Sequence, residues 1–478
     1  MKRGTALCAL VAAVTLSACA YTPTRATHPA ALDGGALGLA GAPAPAVTER
    51  WWQAFGDARL DELVAAATRD NPTLAEALAR LQRASSDALA AASAGGVQVE
   101  ASGEVLRERF SDRYIIPPPY GGASFWDGQA QLGLAYDLDF WGRQRAVIRA
   151  AERYTRAGEL DVRAAALALQ GAVVTAYIEL DLRHAVADIA REAEDTRGQI
   201  AALTRRRVAA GLDTGIDRRA ADAALPESRA DRDQALAAID LTVHRLAELA
   251  GRGAPAYTNI GRPKLAYDAA IPLPSVLPGD LLLRRPDLQA ALARVAAAAA
   301  AEDAARLAAY PEINLRAFAG FAALTLADLL SAPARTYGLG PAVRLPIFDA
   351  GLLRARFRGA GADLEVAVAR YNATVLGAVR EVADGISTVD ARGRGLRDAD
   401  QRLTLLIQAR QLAEERYRAG LTTRLTVLEA DSRVLAARRA LVAARALEAE
   451  ARVGLVVVLG GSTEPVPPSP AVSARAMP

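Results

Sequence analysis

Four short stretches of the chain alternate between apolar and polar residues. In residues 128–138, Ala130, Leu132, Leu134, Tyr136 and Leu138 fall on one face and Gln129, Gln131, Gly133, Ala135 and Asp137 on the other. A repeat of two is the signature of a strand with one wet face. Val97 to Leu106 places Val97, Val99, Ala101 and Val105 on a shared face, and Ile313 to Ala323 and Tyr337 to Ile347 repeat the arrangement. These segments predict two β-hairpins, 97–138 and 313–347, whose strands of about ten residues are long enough to cross a membrane at a tilt. Elsewhere the apolar positions recur every three or four residues, which predicts helices. Pro72 to about Ser93 and Pro286 to about Ala309 are Ala-rich and begin on proline, where a missing N–H does no harm. Arg294, Glu302, Asp303 and Arg306 interrupt the apolar run Ala296 to Ala301, so that segment reads as a helix packed through small residues. Residues 142–210 and 351–419 contain no proline and predict helices roughly 100 Å long at the standard rise. Each ends at an Ala-Gly-Leu turn, where glycine is the expected terminator, and returns as a shorter helix, 217–250 or 426–459. Pro226 lies inside the first return helix and is expected to kink it.

The same order of parts occurs twice. Gly211 of the first Ala-Gly-Leu turn recurs as Gly420, and Gly142, followed by Arg145 and Ala146, recurs as Gly351, followed by Arg354 and Ala355; both intervals are 209 positions (420 less 211, 351 less 142). Asn71-Pro72-Thr73-Leu74 corresponds to Arg285-Pro286-Asp287-Leu288. The chain therefore divides into a first structural repeat, 51–270, ending in an equatorial segment, and a second, 271–461, with a flexible tail at 462–478.

Composition changes this picture mainly at the N-terminus. Lys2 and Arg3 precede an apolar stretch from Ala6 to Leu16, the length of a signal-peptide core and too short to span a bilayer. Leu16-Ser17-Ala18-Cys19 resembles the bacterial lipobox, so residues 1–18 read as a lipoprotein signal peptide and Cys19 as the residue that receives diacylglycerol and palmitate. Ala20 follows it, which favours sorting to the outer membrane. Residues 19–50, rich in Ala, Gly, Pro and Thr, then read as a lipidated, flexible tether. The aromatic residues Tyr114, Tyr120, Phe125, Trp126, Tyr136, Phe140 and Trp141 gather near the ends of the first hairpin and suit an interfacial girdle, with packing in a soluble sheet as the competing reading.

Four strands cannot close a membrane barrel, because open edges in lipid leave backbone groups unsatisfied. The chain is therefore expected to oligomerise. Two copies would supply eight strands around an interior that side chains fill; three supply twelve and leave room for a channel. The expected fold is mainly α with a transmembrane β part: a homotrimeric, 12-stranded barrel continued by a long α-helical coiled barrel across the periplasm.

The run Leu273-Pro274-Ser275-Val276-Leu277-Pro278-Gly279-Asp280-Leu281-Leu282-Leu283-Arg284-Arg285-Pro286-Asp287 resembles the junction signature of the outer-membrane efflux factor family, the TolC-like exit ducts, in particular their lipoprotein branch. Leu345-Pro346-Ile347-Phe348-Asp349-Ala350-Gly351 and the tip Arg416-Tyr417-Arg418-Ala419-Gly420-Leu421, followed by Val427-Leu428-Glu429-Ala430, extend the similarity to nearly the whole chain from Trp51. The resemblance implies a trimer in outer-membrane lipid with a periplasmic tip closed at rest. It also implies a periplasmic adaptor, a membrane fusion protein, and an inner-membrane pump as partners. By position it places an acidic ring of the gate at Glu429, where Asp is usual, and Thr426 where some members carry a second acid; Leu425 would add an apolar plug. The tip turns and adaptor contacts would fall at Gly211, Leu212, Asp213, Asp217, Gly420, Leu421, Arg416 and Arg418. Arg284, Arg285, Pro286 and Asp287 would form the structural junction that ties a helix start to the equatorial segment.

Other chemistry finds little support. The formal net charge is +3, and Arg205-Arg206-Arg207 in a secreted chain suits contacts between helices or with an adaptor better than nucleic acid. His28, His184 and His244 lack metal-ligand spacing, Cys8 would leave with the signal peptide, and no catalytic constellation, cofactor motif or metal site is apparent. The reading is a passive exit duct of a tripartite efflux system. A lipid-anchored periplasmic coiled-coil scaffold without a pore is the alternative, and an envelope enzyme a second rival.

Overall fold

The computed structural model describes residues 28–33, 37, 39, 48–113, 115–267, 271–278, 280 and 284–461. Cys8, Cys19, Tyr114, Gly279, Leu281 to Leu283 and the tail 462–478 lie outside the described residues. The elements run α1 (Ala58–Asp70), α2 (Pro72–Ala94), β1 (Gln98–Arg109), β2 (Ser124–Asp137), α3 (Arg143–Ala209), α4 (Gly215–Leu249), α5 (Pro286–Leu307), β3 (Glu312–Ala323), β4 (Arg335–Arg344), α6 (Leu352–Arg418) and α7 (Arg424–Val458). Two compact units result, and each draws on both sequence repeats. One contains Arg80–Glu159 and Ala290–Asn372, the other Leu32–Ala79, Leu160–Gln289 and the segment from Ala373 onward.

In the first unit the strands form one antiparallel sheet in the order β1-β2-β3-β4. β4 stops at Arg344 rather than running on to Ile347. Pro346 has no N–H to give a ladder and restricts the residue before it, so the alternation in the sequence outlasts the pairing. Alanine lets the neighbouring helices approach closely: Ala290, Ala297 and Ala298 of α5 are buried, and Ala298 packs with Leu364 and Val368 of α6. Glu302 interrupts this apolar surface at 1% exposure. Its Oε1 lies 2.9 Å from Nε2 of His28, and Nδ1 of His28 lies 3.5 Å from Oε1 of Glu365. Asn372 Nδ2 donates to the carbonyl of Ala30 at 3.2 Å. Within the span expected to be a tether, these described residues are thus fixed to helices. The starts of α3 and α6 are capped alike: Asp139 accepts from the amides of Gln144 and Arg145, and Asp349 from those of Gly351 and Leu353.

In the second unit α3 contributes Val173, Val174, Tyr177, Ile178 and Leu180 to a core completed by Leu60 and Val64 of α1, Leu246 of α4 and Val453 and Val456 of α7. Asp57 caps α1 through the Arg59 amide, and its other oxygen accepts from the Tyr177 hydroxyl (2.8 Å) and the Lys264 amide (2.7 Å). Burial works to raise this carboxyl, but the three donors and the nearby Arg59 charge prevail and hold it below its usual value of 3.8. Leu39 is also buried here, against Val382, Leu455 and Leu459. α4 continues through Pro226 without a break.

Candidate functional site

The strand register sorts the sheet into two faces. Across β1 to β4, one face carries the rows Val99-Leu134-Ala317-Leu339 and Ala101-Leu132-Ala319-Tyr337, with Val105, Tyr136, Leu315, Pro341, Ile313 and Val343 beyond them. The other carries Gln98-Ala135-Arg316-Gly340, Glu100-Gly133-Phe318-Gly338 and Ser102-Gln131-Gly320-Thr336. The apolar face is open: Tyr337, Leu339 and Val343 are 84%, 75% and 66% exposed. The next row, Gly103-Ala130-Phe321-Arg335, brings in an arginine only at the end of β4, and an open, mainly apolar surface of this kind suits the outside of a membrane barrel, with the polar surface its inside.

Aromatic residues lie at both ends of the strands. Phe125 contacts Phe110 and Tyr120, and Arg107 lies over Trp126, near the β1–β2 connection. Near the helix ends, Trp141 packs on Tyr310 and its Nε1 donates to the Pro311 carbonyl at 3.0 Å. Trp126 and Tyr136 on β2 are ten residues apart (136 less 126), which gives about 25 Å of height for a tilted strand and matches the apolar band of an outer-membrane barrel. β1 and β4 each pair on one side only among the described residues. The sheet therefore presents two open backbone edges, which lipid cannot satisfy.

The two helical tips share one backbone design. Leu212 N–H bonds to the Arg207 carbonyl and Gly211 N–H to that of Val208; Leu421 and Gly420 do the same to Arg416 and Tyr417. This termination needs a left-handed residue, and Gly211 and Gly420 supply it at φ 71° and 72°. The next residues differ. In the first turn Thr214 and Asp217 form a reciprocal capping box, and Arg207 grips Asp213 through two bonds of 2.7 and 2.9 Å. Arg205 pairs with Asp222 at 2.8 Å, tying α3 to α4. In the second turn Thr423 accepts from the amide of Thr426, which holds the position of Asp217. Two ion pairs there join α6 to α7: Arg424 with Glu414 at 3.1 Å and Arg410 with Asp431 at 2.8 Å. Arg418 is held to Glu414 at 3.3 Å, whereas Leu212 and Leu421 are about two-thirds exposed.

Of the residues expected at a gate, Thr426 and Glu429 are exposed and Leu425 is half-buried. Thr426 and Glu429 are three apart on one helix and share a face, with the buried Val427 and Leu428 between them turned inward. Glu429 forms no ion pair among the described residues.

The junction centres on Arg285, whose guanidinium grips Asp287 with two bonds of 3.0 and 2.7 Å, meets Glu381 at 2.8 Å and donates to the Val458 carbonyl at 3.1 Å. Burial works against its charge, but Asp287 and Glu381 outweigh it and raise the group above its ordinary value. Arg284 pairs with Asp280, and Pro286 opens α5. The sequence suggested the Arg285–Asp287 contact; Glu381 and Val458 are too distant along the chain for any local pattern to reveal. His28 and Phe318 also escaped that reading, His28 for want of metal spacing and Phe318 because the polar face of β3 was not separated from its apolar one. No group of three or more His, Cys, Asp or Glu side chains suited to a metal ion occurs among the described residues.

Residues 63–252 and 277–461 match the outer membrane efflux protein family. Among known proteins, the fusaric acid resistance protein FusA of Burkholderia cepacia is 34% identical over 368 residues, spanning 75% of this chain and 69% of that protein. The probable efflux pump outer membrane protein TtgC of Pseudomonas putida is 31% identical over 460 residues, 92% of this chain and 88% of its own. The crystal structure of the outer membrane protein VceC of Vibrio cholerae aligns over 87% of this chain and all of that one, with a TM-score of 0.79 at 30% identity.

Proposed function

The chain belongs to the outer membrane efflux protein family, and from that membership we infer that it is the outer-membrane exit channel of a tripartite efflux system. The observation that carries this reading is the four-stranded sheet with one mainly apolar face, on which Arg335 stands at the end of β4, and two open edges. Three copies joined edge to edge would give twelve strands, seal every backbone group and leave a water-filled interior lined by the polar rows. The helices α3 and α6, each of 67 residues, are about 100 Å long, enough to carry the duct through the periplasm.

The finer assignments are also ours. Cys19 is proposed as the acylated N-terminus of the mature protein, which labelling with radioactive palmitate would detect in the native chain and not in Cys19→Ser. The tip turns around Gly211 and Gly420 are proposed as the region that meets a periplasmic adaptor, with energy supplied by an inner-membrane pump. Exposed Leu212 and Leu421 support that reading. Three copies of Glu429 around an axis would repel one another and bias a closed tip against small anions, with Leu425 restricting the path of larger solutes.

Single-channel recording of the purified full-length protein in planar bilayers tests the reading. The native channel should conduct poorly at rest, and Glu429→Ala combined with Leu425→Ala should raise its conductance severalfold. Unchanged conductance would remove the gate assignment, and the absence of conductance in both would favour a scaffold without a pore.

A further inference from the structure

The polar face of the sheet carries one large apolar side chain in its middle rows. Phe318 is 42% exposed and shares its row with Glu100, Gly133 and Gly338. The phenyl ring lies over Gly338, where an added Cβ would come within 2.6 Å of its Cε1. On its other side Gly133 leaves the row open: the closest atom to a Cβ placed there is the Glu100 carbonyl oxygen at 3.9 Å. Phe318 and Glu100 stand two strands apart, a separation of about 10 Å. Between them is a bare floor one residue wide, bounded by an aromatic ring and a carboxylate. Such a gap accommodates the thickness of a planar ring.

An exposed phenyl ring on a wet surface offers apolar contact and the negative face of its π-system, and a facing carboxylate adds charge attraction for the same guest. Glu104 lies two residues along β1 from Ser102 on this face, and Arg316, one row toward the helix end, is the basic residue in these rows. The two carboxylates outnumber it. We propose that Phe318, Gly133 and Glu100 form a contact site for planar aromatic cations in the wall of the β-barrel. The site rests on the channel reading, since only in a barrel does this face line a path for solutes. Three copies would place three such sites around the lumen, biasing its outer part toward aromatic, positively charged cargo without closing it to others.

Ethidium added to the loop side of the reconstituted full-length channel serves as the probe. The native channel should show concentration-dependent block, and the half-blocking concentration should rise about tenfold in Phe318→Ala and in Glu100→Gln. Phe318→Tyr keeps the ring and should block as the native channel does. Gly133→Val fills the floor while leaving Phe318 and Glu100 in place, and should weaken block as much as Phe318→Ala; it decides the matter if removal of the phenyl ring prevents assembly. Native conductance with no ethidium block, or equal block in all variants, would overturn the site while leaving the channel intact. A native protein that conducts nothing would overturn the channel reading and the site with it.

Discussion

Asp217 and Thr426 occupy the same place in the two tip turns, and one carboxylate separates them. The hydroxyl and amide of Thr214 both donate to Asp217, at 2.6 and 2.9 Å. These bonds hold the carboxyl below its ordinary value of 3.8, the Thr214 hydroxyl contributing most. Because the folded value is the lower one, the stabilisation is complete above the unfolded value and fades as pH falls through the folded one. The first tip turn should therefore keep this contribution at neutral pH and lose it progressively as pH falls below the ordinary value of 3.8. Hydrogen exchange of the amides of residues 214–218, corrected for the intrinsic pH dependence of exchange, measures this opening. Asp217→Asn should remove the acid step and raise exchange at neutral pH; an acid step that survives the substitution would assign it to another group. The sequence disclosed these turns because both carry Ala-Gly-Leu, with glycine where a helix must terminate. It could not disclose Glu302 as a buried group beside His28, since 274 positions separate the two.

Among the elements, the strands carry the most consequential pattern. Leu134 and Ala135 are neighbours on β2 but face opposite ways. Arginine on the apolar face near mid-membrane costs about 2–4 kcal/mol, whereas arginine facing water costs little. Leu134→Arg should therefore reduce outer-membrane assembly sharply and Ala135→Arg should not, as read by the yield of heat-modifiable oligomer in membrane fractions. Equal yields would mean that the two faces are not divided between lipid and water. On β2 the two faces were legible from period-two alternation alone, as were α3 and α6 from the lack of proline. The end of β4 was not, because hydrophobic alternation continues through Ile347 while hydrogen bonding ends before Pro346. Pro226 does not end α4, which runs from Gly215 to Leu249 with Ala235, Val243 and Leu246 buried further along it. Packing along a long helix outweighs one lost backbone bond.

At the scale of the whole molecule, the duplicated sequence gives two hairpins that meet as one sheet through β2 and β3. Duplication thereby supplies four strands but leaves β1 and β4 as edges. Internal symmetry explains how one chain makes a third of a barrel, and lipid explains why it cannot stop there. The repeats were plain in the sequence because Gly142 and Gly351 punctuate them identically. The number of copies was legible only as geometry, from strand count against barrel width. Single cysteines scanned along β1 and combined with single cysteines along β4, with the chain lacking these additions as the control for Cys19, test that closure by oxidation in native membranes. The expected result, for the pairs in register, is a ladder of covalent monomer, dimer and trimer that ends at three, with the ring closed. A ladder ending at two, one that continues past three, or no disulfide at any pairing of the two edges would contradict the central claim that identical neighbours complete the barrel.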